Sequence, residues 1–406
     1  MKILFLDQSG KPGGAELCLL DIAKPYRDNC LVGLFADGSF RDLLEQHKIP
    51  VEVFTNQAIK VSKDSGFAQG LSSLNQLIPL IKKVVKISRN YDLIYANTQK
   101  ALIVGAIASF LTQRPLVYHL HDILSLEHFS KTNRRLAVTL ANRFASLVIA
   151  NSQATQTAFI EAGGKPELTT VVYNGFATEL YHNNNLEIDK ICQELEINGN
   201  FLIGNFSRLS PWKGQHILIE ALIYCPEEVT AIFVGDALFG ESDYVQQLKL
   251  QVAQLGLEKR VKFLGFRQDV VPLMKACNLI AHTSISPEPF GRVIVEAMLC
   301  QKPVVAANAG GAIELVENHK TGWLVSPGNP VELAEIITNC YHAPELCKTI
   351  AQQAKIDTSQ RFDLGQINQQ ITQLLSRVMP KMEEAGALRK EFLTADVSEA
   401  SRRVRR

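Results

Sequence analysis

Residues 201–225 read FLIGNFSRLSPWKGQHILIEALIYC, an apolar run followed by a polar loop and a helical segment. The run Phe201–Phe206 is short and apolar on both faces, which is typical of a parallel strand covered by helices above and below. The helical segment Ile217–Cys225 follows it directly after the loop. Similar strand–loop–helix units recur on both sides of this stretch, and the alternation predicts doubly wound α/β architecture.

Short runs rich in Val and Ile mark the predicted strands. In the first half they are Ile3–Asp7, Leu31–Ala36, Val51–Phe54, Leu93–Ala96, Leu116–Leu120, Leu147–Ala150 and Thr170–Tyr173. In the second half they are Phe201–Phe206, Val229–Val234, Val261–Gly265, Leu279–His282, Pro303–Ala306 and Trp323–Val325. Amphipathic helical stretches separate these runs, so we expect parallel sheets.

The alternation breaks once, over 180–200, where a polar run and a short helical piece intervene. We therefore predict two Rossmann-like domains, residues 1–180 and 201–358, joined by a linker at 181–200. A helix near 360–380 is predicted to pack back on the first domain. The tail 381–406 ends in RRVRR and lacks apolar periodicity, which indicates disorder, with a basic binding tail as the alternative.

Composition narrows the class of protein. The 406 residues carry 42 Lys and Arg against 41 Asp and Glu, so the net charge of +1 argues against a nucleic-acid partner. The eight cysteines show no C-x-x-C pair and no histidine in zinc spacing, which predicts reduced thiols, no metal cage and a cytoplasmic protein. The apolar run Ile3–Leu6 stops at Asp7, unlike a signal peptide, and Ala101–Leu111 is too short to span a bilayer.

Two loops that follow predicted strands carry candidate anion-binding groups. Gly13 and Gly14 open a helix after the first strand, where backbone N–H groups favour an anion, although a tight turn is the alternative. Arg208 and Lys213 flank a helix start in the second half. Two fixed cations there would hold a diphosphate without a metal, and a solvated surface pair is the alternative.

The segment Ser286–Met298, SPEPFGRVIVEAM, is the most informative one. Pro289 discourages helix at Glu288, which predicts that Glu288 lies in a loop and Glu296 in the second turn of the following helix. The N–H groups around Phe290–Arg292 would point at the ligand of this loop. Glu288 could instead be a simple partner of the helix dipole. Glu296 sits among apolar residues and needs a partner, such as sugar or ribose hydroxyls.

These residues resemble the retaining nucleotide-sugar glycosyltransferases of glycosyltransferase family 4, which have the GT-B fold of two Rossmann-like domains facing across a deep cleft. The resemblance rests on E-P-F-G-x4-E at Glu288–Glu296 and R-L-x3-K-G at Arg208–Gly214. It is specific from about residue 201 to 330. Over 1–180 it is looser, and depends on Gly13–Glu16, His121-Asp122, Ala150–Ser152 and Tyr173–Gly175.

The resemblance implies a role for each matched residue. Arg208 and Lys213 would bind the donor diphosphate, Glu296 the ribose and Glu288 the transferred sugar. The backbone of Phe290, Gly291 and Arg292 would line the sugar pocket. The backbone of Gly265–Arg267, which includes the donor-binding candidate Phe266, would read part of the base. In the first domain, which would bind the acceptor, Gly13 and Gly14 would close on the phosphates and His121 would face the donor sugar. The family needs no metal for donor binding, and the sequence has no Asp-x-Asp motif.

His119 and His121 lie on one face at the end of a predicted strand, and His121 is nearer its carboxyl edge. A satisfied structural histidine is the alternative to a functional one.

The acceptor, a saccharide or a lipid-linked molecule, is the substrate for which the sequence offers the fewest recognisable motifs. The basic amphipathic stretch 72–89 would suit an anionic membrane surface at the inner face of the membrane, and a second cluster of basic residues leaves a lipid-linked acceptor open. That cluster is Lys131, Arg134, Arg135 and Arg143. The alternative for 72–89 is packing on the sheet with solvated lysines, and Pro79 is expected to interrupt the helix.

The leading hypothesis is therefore an enzyme that moves a hexose from a nucleoside-diphosphate sugar to a hydroxyl acceptor with retention, in the synthesis of a cell-surface polysaccharide or glycolipid. Two rivals stay open at this point. One is a nucleotide-sugar epimerase on the same fold, and the other is a non-catalytic protein that binds sugar nucleotides. The pair Glu288 and Glu296 in its E-P-F-G form argues against the epimerase. The charged residues Arg208, Lys213, Glu288 and Glu296 are all present, which argues against a non-catalytic binding protein.

Overall fold

The computed structural model describes residues 1–55, 67–126, 129–181, 185–195, 200–237 and 240–379. Over these ranges the chain forms two compact units. Of the described residues, the first unit contains those within 1–151 and 156–172 together with residues 366–379. The second contains the described residues within 152–155 and 173–365. Each unit is built on its own parallel sheet.

The first unit is organised around a sheet in which seven strands have been described, in the order β3-β2-β1-β4-β5-β6-β7. The strands are β1 Ile3–Asp7, β2 Cys30–Leu34, β3 Val51–Val53, β4 Leu93–Ala96, β5 Leu116–Leu120, β6 Ala145–Ala150 and β7 Thr169–Val171. The helices before β7 are α1 Gly14–Ala23, α2 Ser39–Gln46, α3 Phe67–Ser88, α4 Gln99–Thr112, α5 Lys131–Phe144 and α6 Gln153–Glu161. Every residue of β1, β4 and β5 is buried, as expected for strands covered on both faces.

The second unit has a sheet with six described strands in the order β10-β9-β8-β11-β12-β13. They are β8 Phe201–Phe206, β9 Val229–Val234, β10 Val261–Gly265, β11 Leu279–His282, β12 Val304–Ala307 and β13 Trp323–Val325. The helices of this unit are α7 Asn185–Glu194, α8 Gln215–Ala221, α9 Ser242–Gln254, α10 Val270–Ala276, α11 Arg292–Leu299, α12 Ala312–Leu315, α13 Pro330–His342 and α14 Pro344–Arg361. The next helix, α15 Leu364–Val378, belongs to the first unit from residue 366 on.

Strand order places a switch point in each sheet. From β1 the chain builds outward through β2 and β3, and then returns to the other side of β1 with β4. The second sheet does the same at β8, with β9 on one side and β11 on the other. Ligands of open parallel sheets bind beyond the carboxyl ends of the strands at such points. The residues that follow β1, β4, β8 and β11 therefore lie where a ligand is expected.

The predicted strands are confirmed, with ends that differ by no more than two residues from the observed ones. Within the predicted linker, α7 buries Ile191 in the core of the second unit, and Leu195 just after it is buried there too. Residues 182–184 and 196–199 of that stretch, and the tail 381–406, lie outside the described residues. In the first unit, Thr372 of α15 hydrogen-bonds Tyr26 at 2.7 Å.

Residues 72–88 of the basic stretch 72–89 fall in α3, and the expected interruption at Pro79 is wrong because the helix continues to Ser88. Leu80 and Val84 are buried and hold the second half of the helix on the core. Lys83 pairs with Glu52 at 2.8 Å and so is not simply solvated. Among the described helices, none is long and apolar enough to cross a bilayer. No disulfide joins the eight cysteines, all of which lie in described residues.

Candidate active site

The loop after β8 carries Arg208 and Lys213 and is held against the end of β11. The side-chain amide of Gln215 donates to Ser207 Oγ at 2.8 Å and to the Arg208 carbonyl at 2.9 Å. Gly214 has a positive φ of 69°, and a Cβ there would lie 2.0 Å from the carbonyl oxygen of Thr283. Only glycine fits this close approach without strain. The approach brings Lys213 to the loop that follows β11.

Lys213 forms an ion pair with Glu288, with 2.6 Å between Nζ and Oε2. The side chains are 15% and 12% exposed, and the ammonium also lies 4.1 Å from the centre of the Trp212 ring. His282 Nε2 at 3.3 Å and Ser284 Oγ at 3.1 Å contact the same carboxylate oxygen. The site therefore holds one carboxylate within reach of a cation, an imidazole and a hydroxyl group.

This environment keeps Glu288 ionised. Burial alone would raise the pKa of the carboxyl group, but the Lys213 ammonium and the hydrogen bond from His282 outweigh it and hold the pKa well below its usual value. A negative charge fixed in this way can accept hydrogen bonds from hydroxyl groups. It can also balance the Lys213 charge until another anion takes that place.

The Glu288 loop is fixed by its backbone. The Glu288 carbonyl accepts a hydrogen bond from the Gly311 N–H at 2.6 Å. Gly310 has a φ of 62°, and a Cβ there would lie 2.4 Å from that carbonyl oxygen. The Phe290 ring is buried between Phe176 and Phe362, with ring centres 6.4 and 5.8 Å away. Phe290 therefore offers its backbone, and not its ring, to a ligand.

Helix α11 begins directly after this loop, with Gly291 at its N-cap. Glu288 lies in the loop and Glu296 in the second turn, as the sequence predicts. The sequence predicts that the Glu296 carboxylate needs a partner among its apolar neighbours. One partner is Arg292, whose Nε lies 3.5 Å from Glu296 Oε1. The Arg292 guanidinium also packs 4.5 Å from the centre of the Phe176 ring. The Glu296 carboxylate is thus partly neutralised within its own helix.

Arg208 and Phe266 lie beyond the ends of β8 and β10. Arg208 Nε is 3.5 Å from Glu241 Oε2, and Ser210 donates to the other oxygen of Glu241 at 2.6 Å. Phe266 is 65% exposed, while its backbone N–H donates to Asp236 Oδ2 at 3.3 Å. Asp236, just after β9, links the loops that carry Arg208 and Phe266, because its carbonyl also accepts a hydrogen bond from the Leu209 N–H at 3.1 Å.

A second constellation lies at the switch point of the first sheet. Asn97, just after β4, donates through Nδ2 to Asp7 Oδ2 at 2.7 Å and to the Ala15 carbonyl at 3.1 Å. Its Oδ1 therefore faces His121 Nε2, at 2.9 Å. Because Oδ1 can only accept, His121 carries its proton on Nε2. Burial raises the pKa of Asp7 to about 6.

The glycine loop before α1 is also engaged within the chain. Glu16 Oε2 accepts a hydrogen bond from the Gly13 N–H at 2.9 Å. Burial, and then the charge of Asp7, raise the pKa of Glu16 to about 8. An anion at the start of α1, where Gly14 is the first helical residue, would have to share these donors with the Glu16 carboxyl group.

Comparison with known proteins decides the family. The model for "Glycosyl transferases group 1" matches residues 187–357, and the model for "Glycosyltransferase Family 4" matches residues 12–180. The crystal structure of Anabaena HepE in complex with UDP and glucose is 66% identical to this chain, with a TM-score of 0.87. The match covers 93% of this chain and 100% of HepE. The chain belongs to glycosyltransferase family 4.

Two further similarities support the assignment. The complex of Anabaena HepE with UDP-glucose matches this family 4 glycosyltransferase with the same TM-score of 0.87 and 66% identity. The capsular polysaccharide biosynthesis glycosyltransferase CapM of Staphylococcus aureus is 26% identical over 340 residues, which are 80% of this chain and 86% of CapM. The GT-B fold class, with two Rossmann-like parallel sheets, is confirmed.

Sequence reasoning did not identify several polar groups at the candidate site of this family 4 glycosyltransferase. His282 and Ser284 surround Glu288, and Asn97 orients His121. A signal for them exists, since each lies at or just after the carboxyl end of a parallel strand, where ligand-binding groups collect. Their partners are 6, 4 and 24 positions away along the chain, and no short motif joins them.

Proposed function

We propose that this chain transfers glucose from UDP-glucose to a hydroxyl group of a saccharide or lipid-linked acceptor, with retention of the anomeric configuration. The observation that carries the proposal is the Lys213–Glu288 pair at the switch point of the second sheet. It occurs in a chain 66% identical to HepE, whose structures hold UDP, glucose and UDP-glucose.

Lys213 and Arg208 would bind the donor diphosphate. Each cation already has a carboxylate close by, Glu288 at 2.6 Å and Glu241 at 3.5 Å, so an incoming diphosphate would meet cations fixed in position. Cleavage of the glycosyl–phosphate bond leaves negative charge on the nucleoside diphosphate. Positive charge that is already aimed at these oxygens stabilises the transition state without reorganisation. We propose that this charge replaces a metal ion and that donor binding needs none.

Glu288 would hold hydroxyl groups of the transferred sugar. Its ionised carboxylate has capacity for further hydrogen bonds beyond those to Lys213, His282 and Ser284. For retention, we propose that the acceptor attacks from the face on which the diphosphate departs, and that a phosphate oxygen takes the acceptor proton. No carboxylate nucleophile is needed for such a step.

The remaining roles follow the matched motifs. Glu296 would bind the ribose hydroxyls, with Arg292 beside it, and the backbone of Phe290, Gly291 and Arg292 would line the sugar pocket. The backbone at Phe266 would read the base. In the first unit, Gly13 and Gly14 would bind phosphate oxygens and His121 would contact the sugar.

For the acceptor, we propose a growing cell-surface polysaccharide or glycolipid, in keeping with the name of CapM. The exposed basic side chains of α5, Lys131, Arg135 and Arg143, would meet anionic lipid headgroups if the acceptor is lipid-linked. This would place the protein at the inner face of the membrane.

A donor panel tests the proposal. The purified protein is incubated in EDTA with UDP-glucose, UDP-galactose, GDP-mannose and ADP-glucose, and we follow nucleoside diphosphate release and thermal stability. We expect UDP-glucose to give the largest stabilisation and slow UDP release. Equal responses to all four donors would contradict the donor assignment. Conversion of UDP-glucose to another sugar nucleotide without release would favour the epimerase, and binding with neither reaction would favour a non-catalytic protein.

A further inference from the structure

The Cys18 thiol and the imidazoles of His119 and His121 lie close together in the first unit. Of the three, only His121 has a proposed role in donor binding. Cys18, His119 and His121 each offer one potential ligand atom, and these atoms lie within 4.8 Å of one another. Cys18 and His119 are buried, while His121 is half-buried. We propose that these three residues form a binding site for a soft transition-metal ion, with Zn²⁺ as the ion whose ligand preferences match.

The fold explains how the three residues meet. His119 lies in β5 and His121 just after it, so their side chains point to the same face of the sheet. Their ring centres are 3.9 Å apart. Cys18 comes from α1, which follows β1, and β1 and β5 flank β4 in the sheet. The cluster is therefore assembled across the switch point, from residues about 100 positions apart.

Hydrogen bonds already orient both imidazoles for metal binding. His119 Nδ1 is 2.8 Å from Tyr95 Oη, and its Nε2 is buried with no hydrogen-bond partner among the described residues. A buried nitrogen without a hydrogen-bond partner is unfavourable, and a bound ligand would satisfy it. The His121 Nε2–H donates to Asn97 Oδ1 at 2.9 Å and so fixes the orientation of that ring. A ring N–H held by an outer partner is the arrangement that fixes metal-binding histidines.

The donor set selects the kind of ion. One thiolate and two imidazoles suit Zn²⁺, whereas Mg²⁺ and Ca²⁺ prefer oxygen ligands. Zn–S and Zn–N bonds of about 2.3 and 2.1 Å bring tetrahedral ligand atoms to about 3.5 Å from each other. The three atoms therefore need to converge by about an ångström. Binding would release the Cys18 thiol proton to water, and a water molecule would complete the coordination.

Occupancy of this site would inhibit glycosyl transfer, a consequence that rests on the proposed function. His121 would become a metal ligand and could no longer contact the donor sugar.

The site is tested with Co²⁺, which reports thiolate ligation directly. The metal-free full chain is titrated, and we expect one equivalent to give a thiolate-to-cobalt charge-transfer band with visible bands of four-coordinate Co²⁺, both removed by Zn²⁺. Cys18→Ser and Cys18→Ala should lose the charge-transfer band, and His119→Gln should weaken binding at least tenfold. Cys30→Ser, in β2, is the matched buried control and should keep the band. No band in the wild-type chain, or an equal band in both Cys18 variants, would overturn the site.

Transfer assays form the second arm. The rate with Zn²⁺ is divided by the rate without it for each variant, and we expect strong inhibition in the wild type and in Cys30→Ser but little in Cys18→Ser. Inhibition that persists equally in Cys18→Ser would overturn the link to this cluster. If no donor is turned over at all, the proposed function fails, while the Co²⁺ spectra still decide the metal site.

Discussion

The ammonium of Lys213 lies 2.6 Å from the carboxylate of Glu288, although 75 positions separate the two residues along the chain. Lys213 follows β8 and Glu288 follows β11, the two strands that meet at the switch point of the second sheet. The pair is nearly buried, and its carboxylate also meets His282 and Ser284. Each member can therefore be tested for a separate contribution to donor binding and to transfer.

Replacement of Lys213 by methionine should lower the transfer rate on the order of 10²–10³-fold, because a fixed charge aimed at the leaving diphosphate is lost. Affinity for UDP should fall as well. The control is Lys348→Met, which removes an exposed lysine that pairs with Glu345 at 2.7 Å. Steady-state kinetics and UDP titration measure both effects. A wild-type rate in Lys213→Met would contradict the assigned role.

Replacement of Glu288 by glutamine should distinguish contacts to the transferred sugar from contacts to the diphosphate. Transfer should fall on the order of 10²-fold or more, since a charged acceptor of sugar hydroxyl bonds is lost. UDP affinity should be kept or strengthened, because Lys213 loses its competing carboxylate. Calorimetric titration with UDP beside the transfer assay measures the two effects, with Glu345→Gln as the exposed control. A loss of UDP affinity as large as that of Lys213→Met would show that Glu288 does not act on the sugar.

Gly310→Ala should disturb the Glu288 loop, and Gly328→Ala supplies a matched control. Both glycines have positive φ, 62° and 75°, so both variants share the backbone strain. Only at Gly310 would the new Cβ meet the Glu288 backbone, 2.4 Å from the oxygen and 2.6 Å from the nitrogen, whereas nothing lies within 4 Å at Gly328. We expect Gly310→Ala to lose about 1–3 kcal/mol more unfolding free energy. Equal losses in urea denaturation would refute the steric argument.

The buried Asp7 predicts a pH dependence of stability. Its pKa is raised from 3.8 to about 6, so the folded state binds the proton more tightly than the unfolded state. The contribution to unfolding free energy is therefore fully present below about pH 4 and is lost as pH rises through 6. The difference between wild type and Asp7→Asn should fall by on the order of 2 kcal/mol between pH 4 and 7. A difference that is flat across this range would argue against the raised pKa.

The hydrogen bond between Asn97 and His121 predicts that Asn97 positions the His121 ring. Asn97→Leu keeps the side-chain volume but removes the bonds to His121, Asp7 and Ala15. We expect kcat to fall on the order of 10²-fold, because a misplaced group loses most of its effect, with little change in the KM for the donor. Asn142→Ala, in α5, removes an amide that bonds Gly163 instead and should leave kcat unchanged. A change in KM alone would assign Asn97 to binding.

Local pattern was enough for the secondary structure. Runs apolar on both faces marked the strands, since burial between two helical layers demands it. Proline and glycine signals placed Glu288 in a loop and Glu296 in the helix after it. Pro79 is the exception, because the signal of a single proline was outweighed by the packing of Leu80 and Val84 on the core.

The sequence by itself thus determined two parallel sheets, their strands and the loops that carry Arg208, Lys213, Glu288 and His121. Tertiary structure alone decided which of those groups touch. Sheet order brings Lys213 to Glu288 and carries Cys18 to His119, and it also sets Asn97 between Asp7 and His121. The hydrophobic periodicity of a segment indicates only which of its faces is buried. Contact between side chains that are tens of residues apart depends on which strands become neighbours, and strand order follows from the packing of the whole sheet.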